Sequence, residues 1–486
     1  MRIPVVLIPD CQTGEPISSD CDACSVDSAF ASVVPADPQT RYGRAAGLYV
    51  AGLRPGYHVA FNPLAAGGPA VLNDVALELL TAYHEPRRPG EASEALTEAN
   101  AAEGTLAFDR LRQAGLLLPV DQAPEPGDEA PSTLTAWLHV TNACNLRCDY
   151  CYVTKTADEM AEATGRRAVS AVFQAALRHG FRAVHLKYAG GEATLNFTLV
   201  KTLHAAALEQ AARTGLTLKA VLLSNGAALS RTMIAELKAR RIRLMLSLDG
   251  VGEFHDAQRR FANGRGSFAL VERGIRLALE VGLRPELCIT VTRRNLAGLA
   301  DATQYALGKR LPFNLNFYRE ADCAPEDLSL DGPGVIAAMR AAFAAIEADL
   351  PEERFIDRLV DRAQFDRPHR YPCGAGRSYV VFDHRGQVSP CHMLMGEAPG
   401  SPAAGDVLTL VQDDPRLRNL PVDNRLECAA CPWRYWCAGG CPLATHRATG
   451  RWDLRSPNCD IYKALYPDLM RLEGLRLLKL AGLGSA

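Results

Sequence analysis

Ten of the chain's fifteen cysteines fall into two groups whose spacing suits metal chemistry. The first is Cys144-x3-Cys148-x2-Cys151, within TNACNLRCDYCYV. Three thiolates on one short loop can wrap a [4Fe–4S] cube and leave its fourth iron open to another ligand. Tetrahedral zinc would normally want a fourth protein ligand, for which His139 is a candidate, so a structural zinc loop is the alternative reading. The second group is Cys428-x2-Cys431-x5-Cys437-x3-Cys441 followed by Cys459, with Cys373 and Cys391 upstream. Here the alternative is two zinc sites or a zinc ribbon. Cys11, Cys21 and Cys24 read equally as a further metal site or as free thiols, and Cys323 is isolated. Cys288, in the apolar stretch LCITVT, is expected to be ordinary strand core.

Clustered cysteines that bind metal rather than pair imply a reducing compartment. The opening MRIPVVLIPD is too short and too Pro-rich for a signal peptide, and no apolar run approaches membrane-spanning length. The expected location is cytoplasmic. With 53 Lys+Arg against 55 Asp+Glu the net charge is −2, so neither nucleic acid nor an anionic membrane is indicated as a partner. At 486 residues and 48% hydrophobic, the chain has material for two or three domains with a sizeable core.

These cysteines need elements to position them. Residues 121–131 (DQAPEPGDEAP) read as a Pro-rich acidic linker. After it, apolar strands at 134–140, 183–188, 219–224, 243–248, 287–292 and 313–318 alternate with helical patterns near 162–179, 197–213, 230–240, 267–282 and 296–309. That alternation predicts an α/β fold of parallel βα units, curved into a sheet or partial barrel with its active site at the C-terminal strand ends. The Cys144 loop directly follows the first of these strands. Before the linker, two strands (AGLYVAGLR, YHVAFNP), a helix (VLNDVALELLTAY) and a helix ending in FDRLRQAGLLLP suggest a small α+β module. Beyond residue 370, strands SYVVFD and GQVSPC flank a turn among Cys-rich loops, and an apolar helical tail follows Pro467; this reads as a separate, metal-stapled domain. The resulting division is an arm at 1–45, the module at 46–120, the linker at 121–131, the barrel at 132–330, a bridging helical segment at 331–370 and the Cys-rich domain at 371–486.

The triplet, with Tyr150 and Tyr152 flanking its last cysteine, resembles the signature of radical S-adenosylmethionine (SAM) enzymes. Downstream residues agree in order. Gly190-Gly191-Glu192 after the second strand resembles the family's GGE motif, with glycines admitting the ligand and Glu192 accepting from the SAM ammonium. Ser224-Asn225-Gly226 ends the third strand and resembles the segment near SAM. Ser247, in SLDG, and Arg259, after HDAQRR, resemble the pair that grips the SAM carboxylate, a contact suited to a bidentate guanidinium. The resemblance covers residues 134–320. It implies a partial (β/α)6 radical SAM barrel, a cluster on Cys144, Cys148 and Cys151 whose open iron chelates SAM, and one-electron cleavage of SAM to methionine and a 5′-deoxyadenosyl radical. Cofactor contacts would come from Gly190, Gly191, Glu192, Ser224, Asn225, Ser247, Arg259, Tyr150 and Tyr152.

The C-terminal cysteines resemble the SPASM domain of radical SAM peptide-modifying enzymes. The resemblance implies two auxiliary [4Fe–4S] clusters, three clusters in all, one on Cys428, Cys431, Cys437 and Cys459 and the other on Cys373, Cys391 and Cys441. The family's eighth cysteine is missing after Cys373, so the second of these has an open iron or a ligand from elsewhere. Sulfatase maturases carry an Asp where His392 stands, which argues against that activity and makes His392 the candidate proton acceptor. The module at 46–120 resembles the winged-helix peptide-recognition element of ribosomal-peptide modification systems, which adds a leader peptide as a strand to its sheet edge. Taken together, the resemblances imply an oxidoreductase that abstracts hydrogen from a residue of a precursor peptide or protein and installs a cross-link or related change, with ferredoxin or flavodoxin as electron donor. Rival readings are maturation of a sulfatase or dehydrogenase side chain, small-molecule radical SAM chemistry, and, from another class, a non-catalytic Fe–S electron carrier or zinc-binding module.

Overall fold

The structure, a computed structural model, describes residues 5–9, 36–92, 101–121, 130–320, 325–396 and 405–483. Cys11, Cys21, Cys24, Cys323 and most of the 121–131 linker lie outside the described residues.

The N-terminal module contains strands β1 (Val6–Leu7), β2 (Tyr42–Arg44), β3 (Tyr49–Arg54), β4 (Tyr57–Phe61) and β5 (Ala70–Asn73), helices α1 (Asp74–Ala82) and α2 (Ala101–Gln113), and β6 (Leu117–Pro119). An antiparallel sheet runs β1-β5-β4-β3, and β2 pairs with β6. The stretch expected to be all helix from Val71 instead begins as strand β5. Asn73 explains the change: its side chain accepts the Ala76 N–H at 2.9 Å and caps α1, so the residues before it stay extended. One edge of the sheet, that of β5, is taken by the chain's own Val6 and Leu7 (pairs Val6↔Leu72, Leu7↔Val71). The other edge is β3.

The central unit is an eight-stranded sheet. Its first strand is β7 (Thr133–His139), followed by α3 (Glu162–Arg178), β8 (Ala183–Ala189), α4 (Phe197–Thr214), β9 (Thr217–Ser224), α5 (Arg231–Ala239), β10 (Arg243–Ser247), the short α6 (Glu253–Asp256), α7 (Phe268–Val281), β11 (Glu286–Val291), α8 (Leu299–Gly308) and β12 (Phe313–Phe317). All six expected strands form and pair in parallel, in sequence order. Every residue of β7 and β8 is buried, as expected of parallel strands covered on both faces. Leu134, Ala136 and Leu138 join the main core, so strand alternation turns Thr133, Thr135, Trp137 and His139 to the inner face.

After α9 (Gly332–Ala348), the chain adds β13 (Tyr379–Phe382) and β14 (Val388–Ser389), then α10 (Val407–Gln412), α11 (Arg434–Cys437), α12 (Pro442–Thr449) and α13 (Cys459–Leu480). Here two expectations change. β13 pairs in parallel with β7, so the Cys-rich region extends the barrel sheet and is not a separate body. The final helix also starts at Cys459 and carries Pro467 inside it. Its long buried face, including Leu465, Leu469 and Leu477, compensates the backbone bond that proline forfeits.

The N-terminal module rests on this C-terminal region. Phe61 is fully buried among Phe365, Trp433 and Trp436, with ring centroids 6.1, 5.9 and 4.7 Å away, and Trp436 Nε1 donates to Pro63 O at 2.7 Å. Deleting residues 1–121 therefore removes packing from the C-terminal region. Losing Phe61 alone opens a cavity worth about 3–5 kcal/mol, so the truncated protein is expected to melt at a lower temperature. An unchanged melting temperature would show the two parts to be independent. Among the described residues, no helix is long and apolar enough to cross a membrane.

Candidate functional site

The Cys144–Cys151 loop lies across the C-terminal strand ends, stitched down from two sides. From one side, Gly191 N donates to Thr141 O at 2.7 Å and Glu192 N to Ala143 O at 2.8 Å. A Cβ on Gly190 would lie 2.6 Å from Thr141 O, and one on Gly191 2.5 Å from both Asn142 O and Ala143 O. The paired glycines thus let β8's end cross beneath the cysteine loop; in this geometry their close approach is to backbone. From the other side, Arg147 N donates to Arg260 O at 2.6 Å and Asp149 N to Gln258 O at 3.1 Å. Arg294 pairs with Asp149.

The three thiols share one neighbourhood. Burial pushes Cys148 up to about 12, Arg259 draws it back, and the Cys151 and Cys144 sulfurs push it further up. Cys144 is likewise raised by burial. Leu146 N donates to Cys144 Sγ at 3.4 Å, and Lys155 Nζ to the exposed Cys151 Sγ at 2.7 Å. Cysteine thiols become thiolates on binding metal, and three of them on one loop make this set fit an iron–sulfur cluster. Among the described residues, no group of three or more His, Cys, Asp or Glu converges as ligands of a single ion. His139 instead bonds Asn142 Oδ1 through Nε2 at 2.8 Å.

Glu192 is 1% exposed and ties two strand ends together. Its Oε1 accepts from Thr194 N (3.0 Å), Thr194 Oγ1 (2.6 Å) and Ser224 Oγ (2.8 Å), and its Oε2 from Asn225 N (2.6 Å). Asn225 Nδ2 reaches Asn145 Oδ1 at 2.7 Å and Cys144 Sγ at 3.8 Å. Ser224, Asn225 and the first cysteine are thereby fixed to one carboxylate.

Arg259 is buried against Tyr150 and Asp249. Its Nη1 donates to Tyr150 OH and lies 3.4 Å from Asp249 Oδ2, which also accepts from Tyr150 OH at 2.6 Å. Arg259 Nε has no partner among the described residues, so one donor stays available to a ligand. The ion-pair partner of Arg259 is Asp249, two residues beyond Ser247. Ser247 is half-buried at the end of β10, opposite Cys288.

Sequence reasoning missed Asp249 and His255 as structural members of this site, although both lie in the SLDG and HDAQRR segments. Asp249 N donates to His255 Nδ1 at 3.2 Å, so the ring proton sits on Nε2, which meets Ser267 Oγ at 2.9 Å. Ser267 Oγ in turn donates to Arg259 O at 2.7 Å. One neutral imidazole thus holds both Asp249 and Arg259. Cys288 was also misread: its neighbours Leu287 and Ile289 face the core, while its own sulfur faces inward and accepts from Asn316 Nδ2 at 3.0 Å.

Burial pushes both His255 and His139 down to about 4. Their folded values lie below the unfolded imidazole value, so unfolding takes up protons as the pH falls. The stability they contribute is full above about pH 6.5 and drains away toward pH 4, a loss on the order of 2 kcal/mol per ring at pH 5. Urea midpoints at pH 7 and pH 5 test this. His255→Gln is expected to flatten the slope, and an unaltered slope would refute the assignment.

In the C-terminal region, Cys428, Cys431, Cys437 and Cys459 line one pocket with Arg434, Arg455 and Tyr462. Burial pushes Cys428 up to about 11 and Cys437 up to about 12. Cys373, Cys391 and Cys441 gather in a second cluster around Ala375, Leu394 and Leu417, where Asn419 Nδ2 donates to Cys373 O at 2.8 Å. Four of these cysteines thus share a pocket and the other three share an apolar cluster. His392 stacks on Trp137 at 4.9 Å, is tilted against Tyr152 at 5.5 Å, and its Nδ1 meets Tyr379 OH at 3.2 Å. It therefore stands where barrel, cysteine loop and C-terminal region meet.

Residues 138–294 match the Radical SAM superfamily model. That stretch holds the Cys144 loop, Glu192, Asn225 and Arg259, and it folds as parallel βα units. Among curated proteins, the chain is similar to the antilisterial bacteriocin subtilosin biosynthesis protein AlbA of Bacillus subtilis, 23% identical over 326 residues, covering 65% of this chain and 68% of AlbA. It is also similar to an uncharacterized protein of Methanocaldococcus jannaschii, 24% identical over 182 residues, covering 37% of this chain and 61% of that protein. Among solved structures, native anSMEcpe with bound AdoMet superposes with a TM-score of 0.58 at 18% identity, over 72% of this chain and 99% of anSMEcpe. Streptococcus suis SuiB bound to S-adenosylmethionine gives 0.46 at 14% identity, over 86% of this chain and 99% of SuiB.

Proposed function

We propose that this chain is a radical SAM maturase that modifies a ribosomally made peptide or protein. The observation carrying the proposal is the convergence, at the strand ends of the matched domain, of the Cys144–Cys148–Cys151 loop, the Glu192–Ser224–Asn225 tie and the buried Tyr150–Asp249–Arg259 network. Cys144, Cys148 and Cys151 would hold a [4Fe–4S] cluster, with the SAM carboxylate taken by Arg259 and Ser247. When bound, cluster and SAM supply a radical able to abstract hydrogen from carbon.

The chain's own residues hold that chemistry in place. Glu192 is committed to four donors within the fold, so its part is to fix the strand ends facing SAM. Asp249 neutralises Arg259 in advance, and the free Nε–H is the donor left for a carboxylate. Tyr152 and His392 close the side toward Cys391, and His392 would be the acceptor of a substrate proton. The two C-terminal cysteine sets would hold auxiliary clusters, and ferredoxin or flavodoxin would deliver the electron in a cytoplasmic setting. The similarity to AlbA supports a peptide substrate. A winged-helix-like N-terminal module would take the leader as an added strand; since β1 already fills the β5 edge, β3 is the edge left for it among the described residues.

The test is anaerobic incubation of the iron-loaded chain with SAM and dithionite. 5′-Deoxyadenosine formation is expected, together with a mass change in a short peptide encoded beside the gene. Absence of deoxyadenosine from fully loaded protein would overturn the reading.

A further inference from the structure

A cation is buried between the two C-terminal cysteine sets without enough partners. Arg425 is 0% exposed. Its Nη1 donates to Gly439 O at 3.0 Å and Leu454 O at 3.5 Å. Its Nε and Nη2 have no hydrogen-bond partner among the described residues. The thiols close enough to act on its charge come from both sets: Cys428 and Cys437 from one, Cys373 and Cys441 from the other. No carboxylate pairs with it among the described ion pairs. A desolvated guanidinium without an anion is strongly disfavoured, so such a group persists where an anion completes it.

The backbone is shaped to keep it there. The segment from Cys437 to Cys441 carries the chain from one cysteine set to the other. Ala438, Gly439 and Gly440 all adopt positive φ (44°, 79° and 71°), folding this segment over the Arg425 side chain. A Cβ on Gly439 would lie 2.4 Å from Arg425 Cδ and 2.8 Å from Nε, so any larger residue displaces the guanidinium. Arg425 O also accepts the Cys428 N–H at 3.0 Å, which ties the cation's own backbone to a ligand.

Resting on the reading of these cysteines as cluster ligands, we propose that Arg425 is a counter-cation shared by the two auxiliary sites, its charge and its two unpartnered N–H groups serving the anionic clusters they would hold. Thiolate-ligated clusters are anionic, and their potentials follow local charge and hydrogen bonds to sulfur. A fixed cation between them favours the reduced, more negative state of both. It raises both potentials together and couples the two sites.

The experiment is an EPR-monitored redox titration of the iron-loaded full chain. Arg425→Met is expected to make reduction of both auxiliary clusters at least tenfold less favourable, a shift of about 59 mV to more negative potential for one electron, while the cluster on Cys144, Cys148 and Cys151 is unmoved. Arg425→Lys keeps the charge and is expected to restore most of that shift; Gly439→Ala, which displaces the guanidinium, is expected to lower both potentials in part. A shift confined to one auxiliary cluster overturns the sharing, and no shift in either overturns the proposal. Should Arg425→Met load poorly, the cluster-free proteins decide. Removal of an unpaired buried cation is expected to leave their melting temperature equal or higher, and a clear drop would make Arg425 a structural tie and overturn the proposal. If the wild-type chain binds about four irons rather than about twelve, the cluster reading of the C-terminal cysteines falls and this proposal with it. Twelve irons without a shift sinks the proposal alone.

Discussion

Replacing Cys144, Cys148 and Cys151 together by Ala is expected to remove about four of about twelve irons and to abolish 5′-deoxyadenosine formation. The iron loss follows from the geometry. These thiols sit on one loop, held at one end by Gly191 and Glu192 and at the other by Arg260 and Gln258, and Cys151 acts electrostatically on both Cys144 and Cys148. The C-terminal sets occupy their own pocket and cluster, so their iron should remain. Iron analysis separates local loss from global collapse: a protein that drops to no iron has misfolded, and one that keeps about eight has lost only the barrel site. Deoxyadenosine production persisting in the triple variant would remove these cysteines from the chemistry.

Gly191→Ala is expected to be nearly as damaging, although it removes no ligand. The added Cβ would meet the Asn142 and Ala143 carbonyl oxygens at 2.5 Å and Ala143 C at 2.8 Å. All three belong to the backbone, so relief requires the cysteine loop to lift from β8, breaking the Gly191–Thr141 and Glu192–Ala143 hydrogen bonds. Overpacking of this kind costs about 1–3 kcal/mol or more, and a displacement near 1 Å at a reacting centre costs about 100-fold in rate. The expected result is a deoxyadenosine rate lower by two orders of magnitude or more, with weakened retention of the barrel-site iron and auxiliary iron unchanged. A rate within a few-fold of wild type would show that the loop's seating on the glycines does not matter. Gly308→Ala is a suitable control, because a Cβ there meets nothing within 4 Å.

Much of the site was readable before any tertiary contact was known. The spacing of Cys144, Cys148 and Cys151 places three thiols on one turn whatever surrounds them. The alternation of apolar strands and amphipathic helices dictates parallel βα units, because each strand must be covered on both faces. Strand ends then carry Gly190, Glu192, Ser224, Asn225 and Ser247 to one rim by register alone. The division of the cysteines into Cys428, Cys431, Cys437 and Cys459 against Cys373, Cys391 and Cys441 is an expectation that comes through resemblance and not through spacing.

What the tertiary structure decided are pairings between residues far apart in the chain. Local pattern gives a strand at 379–382 but not its neighbour; that it lies beside β7 and continues the barrel sheet is a long-range choice. Pro467 looks like a helix boundary by propensity, yet packing of the surrounding apolar face outweighs one missing backbone bond. Cys288 alternates with core residues, and alternation alone does not say which face is inner and polar; Asn316 beside its sulfur does. Asp249 stands ten residues from Arg259 without any signal of pairing, since charge partnership depends on how the turn through His255 folds back. Arg425 is the extreme case. As one of 53 basic residues it reads as ordinary surface charge, and only burial between two cysteine sets turns it into a group that needs an anion. Sequence fixes which chemistry a chain carries in each short segment. Desolvation, which decides what each charge and thiol can do, arises only when distant segments close around it.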